Sequence, residues 1–167
     1  YAPGSLDRLG FTREALMKLN PNLVLTHVSA YGPEGPWAKR KGWEQLSQTC
    51  SGMVKLASQG RDQHHLVAAL PCDYGTGYLA AIGTTAALRQ RQDQGGFWEV
   101  HAALTRTAME VLSLPHEAEE AVPTSLQDDG KYFVDQESNF GAVFTRLAPA
   151  AQLSKTPAYS ETGPAIN

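Results

Sequence analysis

The sequence predicts an α/β fold in which helices flank a mainly parallel sheet. Segments with helical and strand patterns alternate along the chain, and parallel strands need such helical crossovers. The first predicted strand, residues 23–29, is apolar and β-branched with little polar alternation, which is typical of a strand buried on both faces. Of the 167 residues, 42% are hydrophobic and 19% are charged, a balance that indicates a globular protein.

The first third of the chain predicts one short helix, one strand and one loop. Thr12 is a suitable N-cap for a helix that reaches Leu19. Pro21 ends this helix, because the residue before a proline is pushed out of the helical region. The buried strand at 23–29 follows, and the Gly- and Pro-rich residues 32–36 then predict an irregular loop.

The middle of the chain predicts two helices separated by a short strand. Apolar residues recur with helical periodicity over residues 43–57, which indicates an amphipathic helix. Residues 66–70 are apolar and short enough for a second buried strand. The segment 71–77 then leads into a helix over residues 78–92, which the glycine pair at 95–96 ends.

The last part of the chain predicts a strand, a helix and a closing strand. The strand covers residues 97–102, and the helix covers residues 103–114 and stops at Pro115. The acidic, turn-rich stretch 116–136 predicts a surface connection. Residues 140–147 predict a last strand, followed by an extended or loop-like end.

Composition argues against several classes of protein. There are 14 Lys and Arg against 17 Asp and Glu, so the formal net charge of −3 gives no signal for nucleic-acid binding. No apolar stretch approaches the ~20 residues of a membrane span, so no membrane contact is expected. Cys50 and Cys72 lie far apart and form no disulfide framework, which favours a reduced, cytoplasmic location.

Histidines give no clear metal motif. His64 and His65 are adjacent, and adjacent side chains point apart in regular structure. His27 and His101 lie in two different predicted strands, where each is interpreted as a core or edge residue. Phosphate-loop and serine-hydrolase motifs are absent from the sequence. The expectation is therefore no metal site and no permanently bound cofactor.

Asp73 is the strongest candidate for chemistry. It follows the predicted strand at 66–70, and free N–H groups at the start of the next helix would favour its ionised form. An ionised, partly desolvated carboxylate is a competent nucleophile for acyl transfer. Gly75 and Gly77 would let a ligand approach the backbone. The alternative from the local pattern is that Asp73 only caps the helix.

Three segments in order closely resemble the family III CoA-transferases, the CaiB/BaiF class: LNPNLVLTHVSAYGPEGPW, KGWEQLSQTCSGMVKL and PCDYGTGYLAAIGTTAALRQR. The later segment RLAPAAQLSKTP resembles the closing strand of that family, so the match covers most of residues 1–112 and 143–157. The resemblance implies a Rossmann-like domain in an interlocked homodimer, or a partner half in the same chain. It also implies a CoA thioester and a small carboxylic acid as substrates.

The resemblance also implies roles for individual residues. Asp73 corresponds to the aspartate that forms acyl–aspartyl anhydride and aspartyl-CoA thioester intermediates. Glu44 takes the carboxylate position of a G-[YHF]-[DE] step and is the second predicted catalytic residue. Trp43 takes the aromatic position of that step, and Lys41 lies where transferases carry a basic residue near the CoA phosphates. These two residues, with the two glycines after Asp73, are the predicted CoA-binding residues.

The departures from the family decide between activities. The racemases carry a histidine where this chain has Trp43, and an indole is no general base, so the expected activity is CoA transfer. A racemase or epimerase of the same superfamily, or an inactive scaffold half, are the alternatives. The chain is interpreted as part of a longer protein. Residues 1–114 would belong to the large Rossmann-like domain, 115–139 would replace the usual small domain, and 140–167 would form the closing strand and tail.

Overall fold

The structure is a computed structural model that describes residues 3–59, 61–67, 69–115, 132–138 and 140–158. The chain divides into two compact units, Tyr1–His116 and Glu117–Asn167. The described helices all lie in the first unit: Ser5–Arg8 (α1), Arg13–Leu19 (α2), Glu44–Ser51 (α3), Met53–Ala57 (α4), Pro71–Gln94 (α5) and Leu104–Ser113 (α6). The described strands are Val24–Ser29 (β1) and Trp98–Ala103 (β2) in the first unit, and Phe133–Glu137 (β3) and Val143–Leu147 (β4) in the second.

Strands β1 and β2 pair in parallel, with Val24 opposite Trp98 and Ser29 opposite Ala103. The long helix α5 lies between them in the chain and packs against the sheet. The hydroxyls of Thr26 in β1 and Thr84 in α5 are 2.7 Å apart. These contacts confirm the predicted α/β class with a parallel sheet and flanking helices.

The helix predicted over residues 43–57 is two helices, α3 and α4. Gly52 separates them with φ 90°, a left-handed conformation that glycine adopts without the steric cost of a side chain. The apolar periodicity continues across the break, so the pattern alone does not reveal it. The short helix α2 agrees with prediction, since the N–H of Ala15 donates to the Thr12 hydroxyl at 3.2 Å.

The prediction of a strand at residues 66–70 is wrong. The described residues of this segment belong to neither a strand nor a helix. The N–H of Val67 donates to Oε1 of Gln48 (2.9 Å), and the carbonyl of Ala69 accepts from Nε2 of the same side chain (3.3 Å). A side chain thus satisfies backbone groups that a strand would pair with its neighbour. Helix α5 also begins at Pro71, seven residues earlier than predicted.

A small apolar core lies beneath the start of α5. It consists of Met53, Cys72, Leu104 and Ala108. Helix α5 also carries apolar side chains that face solvent in this chain. Tyr74, Tyr78 and Ile82 follow one another at helical spacing and are each more than 60% exposed. Among the residues that the structure describes, this face of α5 is therefore apolar and exposed.

The described residues of the second unit include an antiparallel hairpin of β3 and β4, with Phe133 opposite Leu147 and Glu137 opposite Val143. Strand β4 falls within the strand predicted at 140–147, whereas β3 falls in the stretch predicted as a surface connection. Residues 116–131 of that stretch lie outside the described residues. Within the described part of the chain, the helices are too short or too polar to cross a membrane.

Candidate active site

The start of α5 is capped by a side chain from another helix. The N–H of Cys72 donates to Oε1 of Glu44 (3.3 Å), and the N–H of Asp73 donates to Oε2 (2.6 Å). Pro71 has no N–H to satisfy, and the N–H of Tyr74 begins the helical ladder by donating to the carbonyl of Leu70. The buried carboxylate of Glu44, 2% exposed, therefore pairs the donors that the helix leaves open.

This arrangement corrects two expectations about Asp73. The sequence predicts that the Asp73 carboxylate faces the free N–H groups at the start of the helix. The carboxylate of Glu44 accepts hydrogen bonds from these groups instead. The alternative that Asp73 caps the helix is also wrong, because Asp73 is the third residue of α5 and Leu70 holds the N-cap position. The Asp73 residue is exposed, so its side chain reaches solvent at the first turn of the helix.

Gln48 supports Glu44 from one helical turn further along α3. Its Nε2 donates to Oε1 of Glu44 at 2.8 Å, and the same side chain contacts the backbone of Val67 and Ala69. Gln48 is 1% exposed, so these bonds form in a buried setting. The predicted site residues do not include Gln48. Its only signal in the sequence is the spacing of four residues after Glu44, which places both side chains on one helix face.

Glu44 and Asp73 influence each other electrostatically. Burial alone would raise the pKa of Glu44, but hydrogen bonds from Gln48 and from the backbone of Asp73 and Cys72 outweigh it, and the pKa lies below its ordinary value. Burial and then the negative charge of Glu44 raise the pKa of Asp73. The expectation that the helix start favours ionised Asp73 is therefore wrong in direction. Burial and the neighbouring Glu44 also raise the pKa of the Cys72 thiol to about 12.

The two glycines after Asp73 differ in their surroundings. A Cβ at position 75 would lie 2.8 Å from Cγ2 of Thr107, so Gly75 lets α5 approach α6 closely. The neighbouring hydroxyls of Thr76 and Thr107 lie 2.6 Å apart in a buried contact between the same helices. A Cβ at Gly77 would meet nothing within 4 Å. Open surface for a ligand therefore lies at Gly77, while Gly75 has a packing role.

This difference predicts opposite effects for two alanine substitutions. Gly75→Ala should lower the free energy of unfolding by about 1–3 kcal/mol, because the new methyl group overlaps Thr107 in a packed contact. Gly77→Ala should raise it by up to about 1 kcal/mol, because alanine is the better helix former and the space is open. Urea denaturation of the two variants measures both values. Equal effects would contradict the packing role of Gly75.

Lys41 and Trp43 lie on the segment that leads into Glu44. Trp43 occupies the N-cap position of α3 and is 55% exposed, so it does not anchor the helix in the core. Lys41 is exposed as well, whereas the guanidinium of Arg40 lies 5.1 Å from the ring centre of Trp37. Lys41 thus carries an exposed ammonium group close in sequence to Glu44. The CoA-binding roles of Lys41 and Trp43 stay predictions.

Comparisons with known proteins identify the family that the chain resembles in sequence. A family model described as CoA-transferase family III matches residues 1–132. Over 105 residues, the chain is 35% identical to a formyl-CoA:oxalate CoA-transferase of Rhodopseudomonas palustris, covering 62% of this chain and 24% of that protein. It is 31% identical to the succinyl-CoA–L-malate CoA-transferase beta subunit of Chloroflexus aurantiacus, covering 62% of this chain and 26% of that subunit. The chain thus spans about a quarter of the length of these curated relatives.

Solved structures agree on the fold. A CaiB/BaiF family protein from Brucella suis superposes with a TM-score of 0.64 at 22% identity, over 84% of this chain and 39% of that protein. At this identity the likeness concerns the fold alone. It supports the α/β arrangement described above.

Proposed function

The chain belongs to CoA-transferase family III, and from that premise we propose that its protein transfers CoA from an acyl-CoA thioester to a carboxylic acid, with Asp73 as the covalent nucleophile. One observation carries the proposal. Asp73 is exposed in the first turn of α5, while its backbone N–H is held at 2.6 Å by the buried carboxylate of Glu44. A reacting group on a fixed backbone and with an accessible side chain is suited to nucleophilic catalysis.

The proposed reaction proceeds through covalent intermediates on Asp73. A carboxylate oxygen of Asp73 attacks the thioester carbonyl carbon, the C–S bond breaks, and the CoA thiolate leaves an acyl–aspartyl anhydride. The thiolate then attacks the aspartyl carbonyl, which releases the first carboxylic acid as its anion and forms an aspartyl-CoA thioester. The acceptor carboxylate repeats these steps in reverse order, so a new acyl-CoA leaves and the Asp73 carboxylate is restored. No oxidant, metal or external proton source enters this balance.

Glu44 acts in this proposal as a positioning residue. Both of its oxygens accept hydrogen bonds from the start of α5 or from Gln48. Its negative charge contributes to the raised pKa of Asp73. Glu44 therefore positions the backbone of Asp73 and makes the Asp73 carboxylate more basic. In this proposal, the catalytic role predicted for Glu44 is exercised through Asp73.

The CoA thioester would approach along the exposed residues around this helix start. Lys41 offers an ammonium group for a phosphate, and Trp43 offers an exposed indole ring. Gly77 leaves open surface four residues beyond Asp73. Formyl-CoA or succinyl-CoA as donor, with oxalate or malate as acceptor, are the first substrates to test, because the similar transferases are named for them.

The partners and the location belong to the same proposal. The exposed apolar face of α5, at Tyr74, Tyr78 and Ile82, would pack against a second copy or another part of the same protein. A cytoplasmic setting fits the unpaired thiols of Cys50 and Cys72. The chemistry uses the CoA thioester as a substrate and needs no permanently bound cofactor.

Trapping the intermediate tests the proposed function. The intact protein is incubated with an acyl-CoA donor, treated with hydroxylamine, digested and analysed by mass spectrometry. We expect a hydroxamate on the peptide that contains Asp73, because hydroxylamine attacks the activated aspartyl carbonyl. After cleavage at Lys and Arg, the peptides with Asp7 and Asp93 are separate from the Asp73 peptide, and as internal controls they should stay unmodified.

Other outcomes identify the alternatives. Intact CoA binding without an adduct would support an inactive scaffold. Ready exchange of the α-proton of a 2-methylacyl-CoA into deuterated water, again without an adduct, would support a racemase. The exposed indole of Trp43 supplies no general base for that reaction.

A further inference from the structure

One face of the β1–β2 sheet carries three side chains that can bind a metal ion. His27 in β1 and His101 in β2 lie directly opposite each other in the parallel register. Their rings stack with centroids 4.7 Å apart and planes within 5°. Glu99 precedes His101 by two residues and so lies on the same face, with Oε1 3.4 Å from Nε2 of His27. The proposed transferase site uses none of these residues.

We propose that His27, Glu99 and His101 form a binding site for a divalent transition-metal ion of the Zn²⁺ class. One ligand atom from each residue lies within 4.8 Å of the others. Two imidazole nitrogens with one carboxylate oxygen suit Zn²⁺, Co²⁺ or Ni²⁺, whereas Mg²⁺ and Ca²⁺ prefer oxygen ligands alone. Three protein ligands leave a position for water. The site would join β1 and β2, so the ion would stabilise the sheet.

Binding requires only side-chain movement. Zn–N and Zn–O bonds of about 2.0–2.2 Å bring tetrahedral ligand atoms to roughly 3.4 Å from one another. Oε1 of Glu99 and Nε2 of His27 are already 3.4 Å apart. The adjustment therefore falls mainly on the stacked histidine pair, in which one imidazole must rotate out of the parallel stack. Both histidines are exposed, which leaves their side chains room to turn. The ladder between β1 and β2 holds the backbone positions meanwhile.

Arg13 in α2 competes for the same carboxylate. Its Nε lies 2.5 Å from Oε2 of Glu99, on the oxygen other than the one near His27. The hydrogen bond from Arg13 is the main reason that the pKa of Glu99 lies below its ordinary value. The guanidinium charge opposes a nearby cation, however. Removing Arg13 should therefore strengthen metal binding.

Zinc titration of the intact protein tests this site. After metal is removed with a chelator, isothermal titration calorimetry with zinc chloride measures the affinity of the wild type, His27→Gln and His101→Gln. We expect each substitution to weaken zinc binding by more than about tenfold, because each removes a ligand. Substituting both His64 and His65 by Gln is the matched control, since these exposed histidines lie outside the sheet, and it should leave the affinity unchanged.

Two further measurements keep the proposal falsifiable. Circular dichroism checks that each variant is folded. The variant Arg13→Gln changes the charge near the site but keeps all three proposed ligands. Arg13→Gln should tighten zinc binding, and Co²⁺ added to the wild type should give visible absorption bands that His101→Gln loses. The assignment would be overturned if His27→Gln and His101→Gln bound zinc as tightly as the wild type. It would also be overturned if Arg13→Gln left the zinc affinity unchanged or weakened it. Loss of binding in the His64 and His65 control would overturn it too.

Discussion

Replacing Asp73 by asparagine is expected to lower kcat/KM for CoA transfer by at least about 1,000-fold, while the free energy of unfolding changes little. An amide is not a comparable nucleophile, so no anhydride forms. The fold is spared because Glu44 binds the backbone N–H of position 73, which asparagine also has. The substitution loses a favourable charge in the first helical turn, worth about 0.3–1 kcal/mol, but relieves the repulsion from Glu44.

Steady-state transfer assays and urea denaturation measure both parts of this prediction. Asp93→Asn is the matched control, because Asp93 is an exposed aspartate near the other end of the same helix. Its turnover should equal that of the wild type. Normal turnover in Asp73→Asn, with normal stability, would leave Asp73 without a chemical role.

Replacing Glu44 by alanine should lower the free energy of unfolding by about 3 kcal/mol and impair transfer as well. The substitution leaves the N–H groups of Cys72 and Asp73 without their acceptor, and it leaves an N–H of Gln48 unpaired next to the core. Buried donors without partners cost more than the net energy of a typical hydrogen bond. Glu34→Ala, an exposed position in a loop, should change stability by less than about 0.5 kcal/mol. A similar loss in both variants would contradict the capping role.

The pH dependence of stability gives a second test of Glu44. Its pKa in the folded protein lies below the ordinary value, so its ionisation stabilises the fold. This contribution is complete above the unfolded pKa of about 4.3 and is lost as the pH falls through the folded pKa. The stability difference between wild type and Glu44→Gln should therefore shrink in acid. Burial and then the charge of Glu44 raise the pKa of Asp73, and Glu44→Gln removes the second of these causes. The same variant should therefore shift the acid limb of the transfer profile to lower pH.

Local patterns predicted the elements that depend on neighbouring residues. Thr12 caps α2 because its hydroxyl reaches an N–H three residues away. The apolar and β-branched residues within 23–29 favour a strand, and β1 forms there over Val24–Ser29. Its residues are half-buried or exposed, so the expected burial on both faces is wrong for this chain. The resemblance to the transferase family pointed to Asp73 and Glu44 together, and the structure joins them by a hydrogen bond.

Tertiary structure decided the contacts that no local pattern records. The apolar residues 66–70 had the composition of a strand, but Gln48 of α3 takes the backbone groups of Val67 and Ala69. Glu44 caps a helix that begins far along the chain, and His27 meets His101 only because β1 and β2 pair in parallel. Periodicity reports which face of an element is buried. The partner of a polar group on that face depends on how distant elements pack, so only the folded chain determines it.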